Sequence, residues 1–141
     1  IIVYKMDQDA IEKNNSIIFN EKNVSLDEEV ENGKNKHLVK CQFCPSKILN
    51  PNLGLYIESE YNLPKMTKKK CDTGEGEIQY EKLKYFWQIN DMYTFENIGF
   101  SNTVDNVKYL ACADCEIGPV GYYNINTKIS YVAMARVNHV N

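Results

Sequence analysis

Residues 110–121 read Leu110-Ala111-Cys112-Ala113-Asp114-Cys115-Glu116-Ile117-Gly118-Pro119-Val120-Gly121. Two cysteines separated by two residues turn the backbone so that both sulfurs face one point. A second such turn, Cys41-Gln42-Phe43-Cys44, lies upstream, with 67 residues between the two. Two knuckles supply four thiolates, the set that holds zinc in a tetrahedron at about 2.3 Å. Ligands so far apart in sequence must be brought together by the fold between them. Four thiolates leave no open coordination position, so a structural Zn2+ that activates no water is expected at Cys41, Cys44, Cys112 and Cys115. A disulfide framework fits poorly with five cysteines and no apolar leader. A redox dithiol needs a knuckle at a helix start within a βαβ unit, and no such unit is readable. The fifth cysteine, Cys71, stands alone in a lysine-rich stretch and reads as a free, exposed thiol.

Outward from the knuckles, the chain reads as strands. Leu53, Leu55 and Ile57 alternate with Gly54, Tyr56 and Glu58, while Lys84–Ile89 and Val107–Ala111 are short and rich in aromatic or apolar residues. From Ile129 to Val137, period two places Ile129, Tyr131, Ala133, Ala135 and Val137 on one face. Ser130, Val132, Met134 and Arg136 take the other. Turn residues punctuate these runs at Asn50-Pro51-Asn52, Asn62-Leu63-Pro64, Asn90-Asp91, Gly118-Pro119 and 124–127. No sustained helical period is present, although Ser25-x-x-Glu28 fits a capping box and predicts a single helical turn. The expected fold is mainly β.

The 141 residues suit one domain, and 43% hydrophobic with 25% charged residues is ordinary globular composition. The formal charge of −3 lies entirely in residues 1–36, where eight acids face five lysines; residues 37–141 balance eleven acids against eleven bases. A neutral folded part disfavours a general grip on nucleic-acid phosphates. No apolar run approaches the roughly 18 residues of a membrane span, and the opening Ile-Ile-Val-Tyr is shorter than a signal-peptide core. A cytoplasmic protein without direct membrane insertion is expected, and nothing suggests a coiled coil, so a monomer is expected.

Residues 1–36, rich in Asn, Lys and Glu, read as a flexible acidic tail. Within it, Ser16-Ile17-Ile18-Phe19 has the β-branching to dock as an edge strand. The chain does not open on Met, and Met6 reads as the native start. Residues 37–141 form the expected zinc-binding domain. Within it, 64–80, with Lys68-Lys69-Lys70 and Gly74-Glu75-Gly76, reads as a mobile loop.

The run Asp91-Met92-Tyr93-Thr94-Phe95-Glu96-Asn97-Ile98-Gly99-Phe100 interleaves large apolar with polar residues. Strand alternation would send Met92, Thr94 and Glu96 one way and Tyr93, Phe95 and Asn97 the other. Each face then carries an apolar side chain, and an exposed patch of that kind marks a partner site.

The string 110–121 closely resembles the second knuckle of the Rab-interacting factor family, the zinc-binding guanine-nucleotide release factors of exocytic Rab GTPases. Cys41-x-x-Cys44 with Ile48-Leu49, the 91–100 run, and Tyr131-Val132-Ala133 with Arg136-Val137 agree with it, so the resemblance spans about residues 38–140. Tyr93 and Tyr123 look like replacements of other aromatic residues. The resemblance implies a twisted antiparallel fold, sometimes called a β-tent, with the zinc site at one end. It also implies a partner, a nucleotide-free or weakly loaded Rab GTPase, from which nucleotide is released slowly and which is then held, a chaperone-like role in vesicle transport. By that resemblance Asp91, Met92, Tyr93, Glu96, Asn97 and Asp114 belong to the partner surface, and no covalent catalysis is expected. Two alternatives stand beside it. One is a zinc-ribbon-like adaptor with no effect on nucleotides. The other is a methionine-R-sulfoxide reductase, which shares a similar fold and zinc site but needs a nucleophilic cysteine in its C-terminal part. No cysteine follows Cys115.

Overall fold

Alternation along Tyr80–Ile89 divides the interior in two. The computed structural model describes Glu21, residues 24–68 and residues 79–141. In it, Trp87 and Ile89 face one apolar cluster and Phe86 faces another. In chain order the strands are β1 (Val30–Glu31), β2 (Lys34–Asn35), β3 (Leu38–Lys40), β4 (Lys47–Leu49), β5 (Leu55–Pro64), β6 (Thr67–Lys68) and β7 (Tyr80–Ile89). They continue as β8 (Ile98–Val104), β9 (Val107–Cys112), β10 (Ile117–Gly118), β11 (Gly121–Asn124), β12 (Ile129–Ala133) and β13 (Asn138–Val140). The main sheet runs β1-β2-β5-β7-β12-β11-β9-β8, a second sheet runs β13-β3-β4, and β10 pairs with β6. Every pairing is antiparallel. The fold is mainly β, as the alternation implies.

The larger cluster joins the two sheets. Val39, Ile48 and Leu49 of the small sheet pack with Trp87, Leu110, Val120 and Val132, and Cys41 and Cys112 belong to the same cluster. Each fully buried aliphatic side chain there contributes about 2 kcal/mol. The opposite face of the main sheet carries Leu63, Leu83, Phe86, Val107, Tyr122 and Ala133. Tyr122 stacks between Tyr61, with ring centroids 3.7 Å apart, and Tyr131, at 4.9 Å. At Gly121 a Cβ would overlap the carbonyl oxygen of Tyr131, so close approach of β11 and β12 requires glycine there.

Four expectations need correction. First, the segment read as a tail folds in its described part. Leu26–Glu29 forms a one-turn helix, α1, with Ser25 at its N-cap, though the Ser25 side chain makes no capping bond. Val24, Leu26 and Val30 pack against the main cluster, and Asn35 is fully buried. A segment with few apolar residues is held because its polar groups find partners. Glu21 accepts from the Lys84 and Tyr85 amides at 3.1 Å, and Glu29 pairs with His37 Nδ1 at 2.9 Å. The boundary at Lys36 is therefore not a boundary of the fold, while the Ser16–Phe19 run and Met6 lie outside the described residues.

Second, both ends of the 64–80 stretch are pinned. Pro64 ends β5, the Lys65 amide donates to the Gln79 carbonyl at 2.8 Å, and β6 pairs with β10. Residues 69–78, with Cys71 and the Lys69-Lys70 pair, lie outside the described residues. Third, the strand expected over Ile129–Val137 stops at Ala133, and Met134–Arg136 makes a 3-10 turn. That turn carries Arg136 inward, where only 3% of it is exposed. Its guanidinium donates to the Pro64 and Pro119 carbonyls at 2.7 and 2.8 Å and pairs with Glu81 at 2.9 Å. Burial disfavours its charge, and the Glu81 carboxylate offsets that cost. Fourth, Met92–Thr94 is also a 3-10 turn, so strand alternation does not govern the 91–97 run.

Asn35 carries the densest polar junction. Its side-chain amide donates to the His37 and Asn50 carbonyls at 2.8 and 3.0 Å. Its side-chain oxygen accepts from the Leu53 and Gly54 amides at 3.0 and 2.8 Å. Asn35→Ala strands four backbone groups around a buried residue and should cost about 3 kcal/mol, read as a lower urea midpoint at unchanged m-value; a midpoint equal to wild type would refute the role.

Candidate metal centre and the edge beside it

The first knuckle follows β3 and the second begins at Cys112, the last residue of β9, so the sheets place both turns at one end. The Cys41 amide donates to the Ser46 carbonyl at 3.0 Å, closing the first turn. The Glu116 amide donates to the Cys112 carbonyl at 2.9 Å and closes the second, with Glu116 at a positive φ of 63°. The Sγ atoms of Cys41 and Cys115 are 3.6 Å apart, as are those of Cys44 and Cys112. All four sulfurs lie within 4.8 Å of one another. A tetrahedron of sulfurs at about 2.3 Å from an ion has edges of about 3.8 Å, whereas a disulfide needs about 2.05 Å. The donor set therefore fits a metal ion and not a bond between sulfurs.

Backbone amides point at these sulfurs, as thiolates require. Phe43 and Cys44 amides bond Cys41, the Ser46 amide bonds Cys44, and the Ile117 amide bonds Cys115. Without an ion the thiols differ. Desolvation raises Cys41 and pushes Cys115 up to about 12, while the Ser46 hydroxyl and amide pull Cys44 down to about 7. Binding an ion must expel protons from the thiols that hold them.

The residues expected at a partner surface lie next to this centre. Asp91 caps the 3-10 turn by accepting from the Tyr93 amide at 2.9 Å. Tyr93 is thereby held outward with 88% of its surface exposed, and Met92 is half-buried. The Glu96 amide donates to the Ile48 carbonyl at 2.9 Å, and its carboxylate accepts from the Asn50 side chain at 2.7 Å. Asn97, at a φ of 54°, donates from its side chain to the Lys47 carbonyl at 3.0 Å. Its own carbonyl accepts from the Ala113 amide at 2.8 Å. Asp114 is exposed and accepts from the buried Ser46 hydroxyl. The 91–97 segment is thus stitched to β4 and to the second knuckle, and Ser46 joins the two knuckles.

Sequence reasoning missed Ser46, Asn50 and Phe43. No spacing rule marks a serine two residues beyond a ligand as the holder of an aspartate 68 positions away. Phe43 stands in full view between two ligands, and its exposure of 56% is visible only in three dimensions. Among the described residues no helix is long and apolar enough to cross a membrane.

Comparison with known proteins agrees with the resemblance read from the knuckles. The family model described as Mss4 protein matches residues 34–139. A Drosophila melanogaster protein named "Guanine nucleotide exchange factor MSS4 homolog" is 50% identical over 112 residues, covering 79% of this chain and 91% of that protein. A Schizosaccharomyces pombe protein of the same name is 31% identical over 96 residues, covering 61% of this chain and 80% of that one.

Proton release sets a test of the centre. Desolvation holds the Cys115 thiol above its ordinary range when no ion is bound, so one proton at least must leave on binding, and affinity falls about tenfold per pH unit for that proton. Titration with Co2+, followed by its thiolate charge-transfer band, should show at least about hundredfold weaker binding at pH 6 than at pH 8. Cys112→Ser should abolish the four-sulfur spectrum.

Proposed function

The chain belongs to the Mss4 family, and from that premise we propose that it is a guanine-nucleotide release factor for Rab GTPases. In this reading it binds the nucleotide-free form and holds it, a chaperone-like role in cytosolic vesicle transport. Cys41, Cys44, Cys112 and Cys115 hold one structural Zn2+, which fixes the geometry of both knuckles and supplies no reaction chemistry. Asp91, Met92, Tyr93, Glu96, Asn97 and Asp114 form the partner surface. The observation that carries the reading is the attachment of that surface to the metal centre, through Ser46–Asp114 and Ala113–Asn97.

A GTPase holds its nucleotide with a backbone cradle, a lysine and Mg2+. A release factor must bind the vacant form more tightly than the loaded form. Linkage then requires factor and nucleotide to weaken each other by the same factor. Asp91, Glu96 and Asp114 present carboxylates to basic groups that nucleotide phosphates would otherwise occupy. Met92 and Tyr93 offer apolar surface to switch segments freed by nucleotide loss. Because the hydrogen bonds already fix these side chains' backbone, little ordering entropy is lost on docking.

Asp114→Asn keeps an oxygen for the Ser46 hydroxyl and removes the charge. It should retain a full complement of zinc while slowing release of fluorescent GDP from a responsive Rab about tenfold. Unchanged release would remove Asp114 from the surface. Equal wild-type affinity for vacant and GTP-loaded Rab across a panel would reduce the protein to a plain binding module.

A further inference from the structure

Phe43 lies between two of the metal-centre cysteines, yet its ring is turned to solvent. Its backbone has no such freedom. The Phe43 amide bonds Cys41 Sγ at 3.3 Å, and the Gln42 side chain donates to the Ala135 and Val137 carbonyls at 3.2 and 3.4 Å. Ser46, three residues on, is tied to Asp114. A large apolar ring held out on a rigid turn gains nothing from the interior and loses little freedom on docking, the two properties of an interface anchor.

Phe43 also ends a continuous edge. From it the contacts pass through Ser46 to Asp114, through Lys47 to Asn97, and through Ile48 and Asn50 to Glu96. They finish at the turn that Asp91 caps and Tyr93 crowns. The edge thus carries two exposed aromatic rings, Phe43 and Tyr93, together with the carboxylates of Asp91, Glu96 and Asp114. Lys47 is the one base in residues 41–50, 91–97 and 112–117, against Asp91, Glu96, Asp114 and Glu116.

We propose, resting on the release-factor reading, that Phe43 is a second apolar anchor for the vacant GTPase, which it meets on the far side of the carboxylates from Tyr93. The occupant is that GTPase, through a basic strip flanked by two apolar pockets. Opposite charge along the strip steers the encounter. Two separated rings fix the direction in which the partner lies, which a single patch cannot do.

The test compares Phe43→Ala, Phe43→Gln and Phe43→Tyr with Val104→Ala as a control. Val104 is also exposed, but it lies at the tip of the β8–β9 hairpin, whose other end carries Cys112; six residues of strand separate the two by about 17 Å. Bound zinc is measured with a colorimetric chelator. Fluorescent-GDP release is then titrated with each variant, using the Rab GTPase that the wild-type chain discharges fastest in a panel. Phe43→Ala should keep its zinc and raise the half-saturating concentration about tenfold. Phe43→Tyr should recover most of the loss, and Val104→Ala should stay within about twofold of wild type. Phe43→Gln, polar and of similar reach, should match Phe43→Ala and decides the matter if the alanine variant loses zinc. Zinc-loaded Phe43 variants that match wild type, or an equal loss in Val104→Ala, would overturn the anchor and leave the release-factor reading standing. A wild-type chain that discharges no member of the panel would overturn both.

Discussion

Four sulfurs that converge from two turns 67 residues apart are the constraint on which the rest depends. Each turn is closed by its own backbone hydrogen bond, and backbone amides already point at three of the sulfurs. An ion held there cross-links the end of β3 to the end of β9. Closing a loop of that length removes about 4 kcal/mol of chain entropy from the unfolded state. Cys41 and Cys112 are also members of the main apolar cluster. The metal end and the core therefore form one mechanical unit, in which a displaced knuckle would disturb the packing of both sheets.

Away from the sulfurs, buried polar side chains make the tight junctions between elements. Asn35 gathers the 50–54 turn against β2 with four hydrogen bonds. Arg136 gathers the ends of β5 and β7 and the Gly118-Pro119 turn. Trp87 Nε1 donates to His139 Nε2 at 3.0 Å, which ties β13 to the central strand β7. Each of these groups is expensive to bury alone and becomes tolerable only when its partners are in place. Such groups specify one arrangement of the sheets, where apolar packing alone would tolerate several.

The edge beside the cysteines inherits its rigidity from these devices. Its carboxylates are spread over two chain segments, 91–97 and 112–117, and a third, 41–50, holds those two in register. The Ser46–Asp114, Lys47–Asn97 and Asn50–Glu96 contacts bind those segments into one surface. A surface fixed in advance can favour one state of a partner over another, since a difference in affinity requires contacts that do not adapt equally to both.

The sequence by itself determined the four cysteines that converge on one point and could hold a metal ion, the mainly β class and the family. Paired C-x-x-C spacing and period-two alternation are local codes, readable without knowing what lies across the sheet. It also located the 91–97 run as something other than plain core. What only the tertiary structure decided was which polar residues are buried and what holds them. Asn35 and Glu21 sit in segments whose composition reads as a tail, and Arg136 sits in a run whose alternation reads as an unbroken strand. Each is settled inside the fold by partners far away in the chain. The outward ring of Phe43 and the Ser46–Asp114 contact were hidden for the same reason: exposure and long-range hydrogen bonds are properties of assembled surfaces, and periodicity records only a residue's neighbours along the chain.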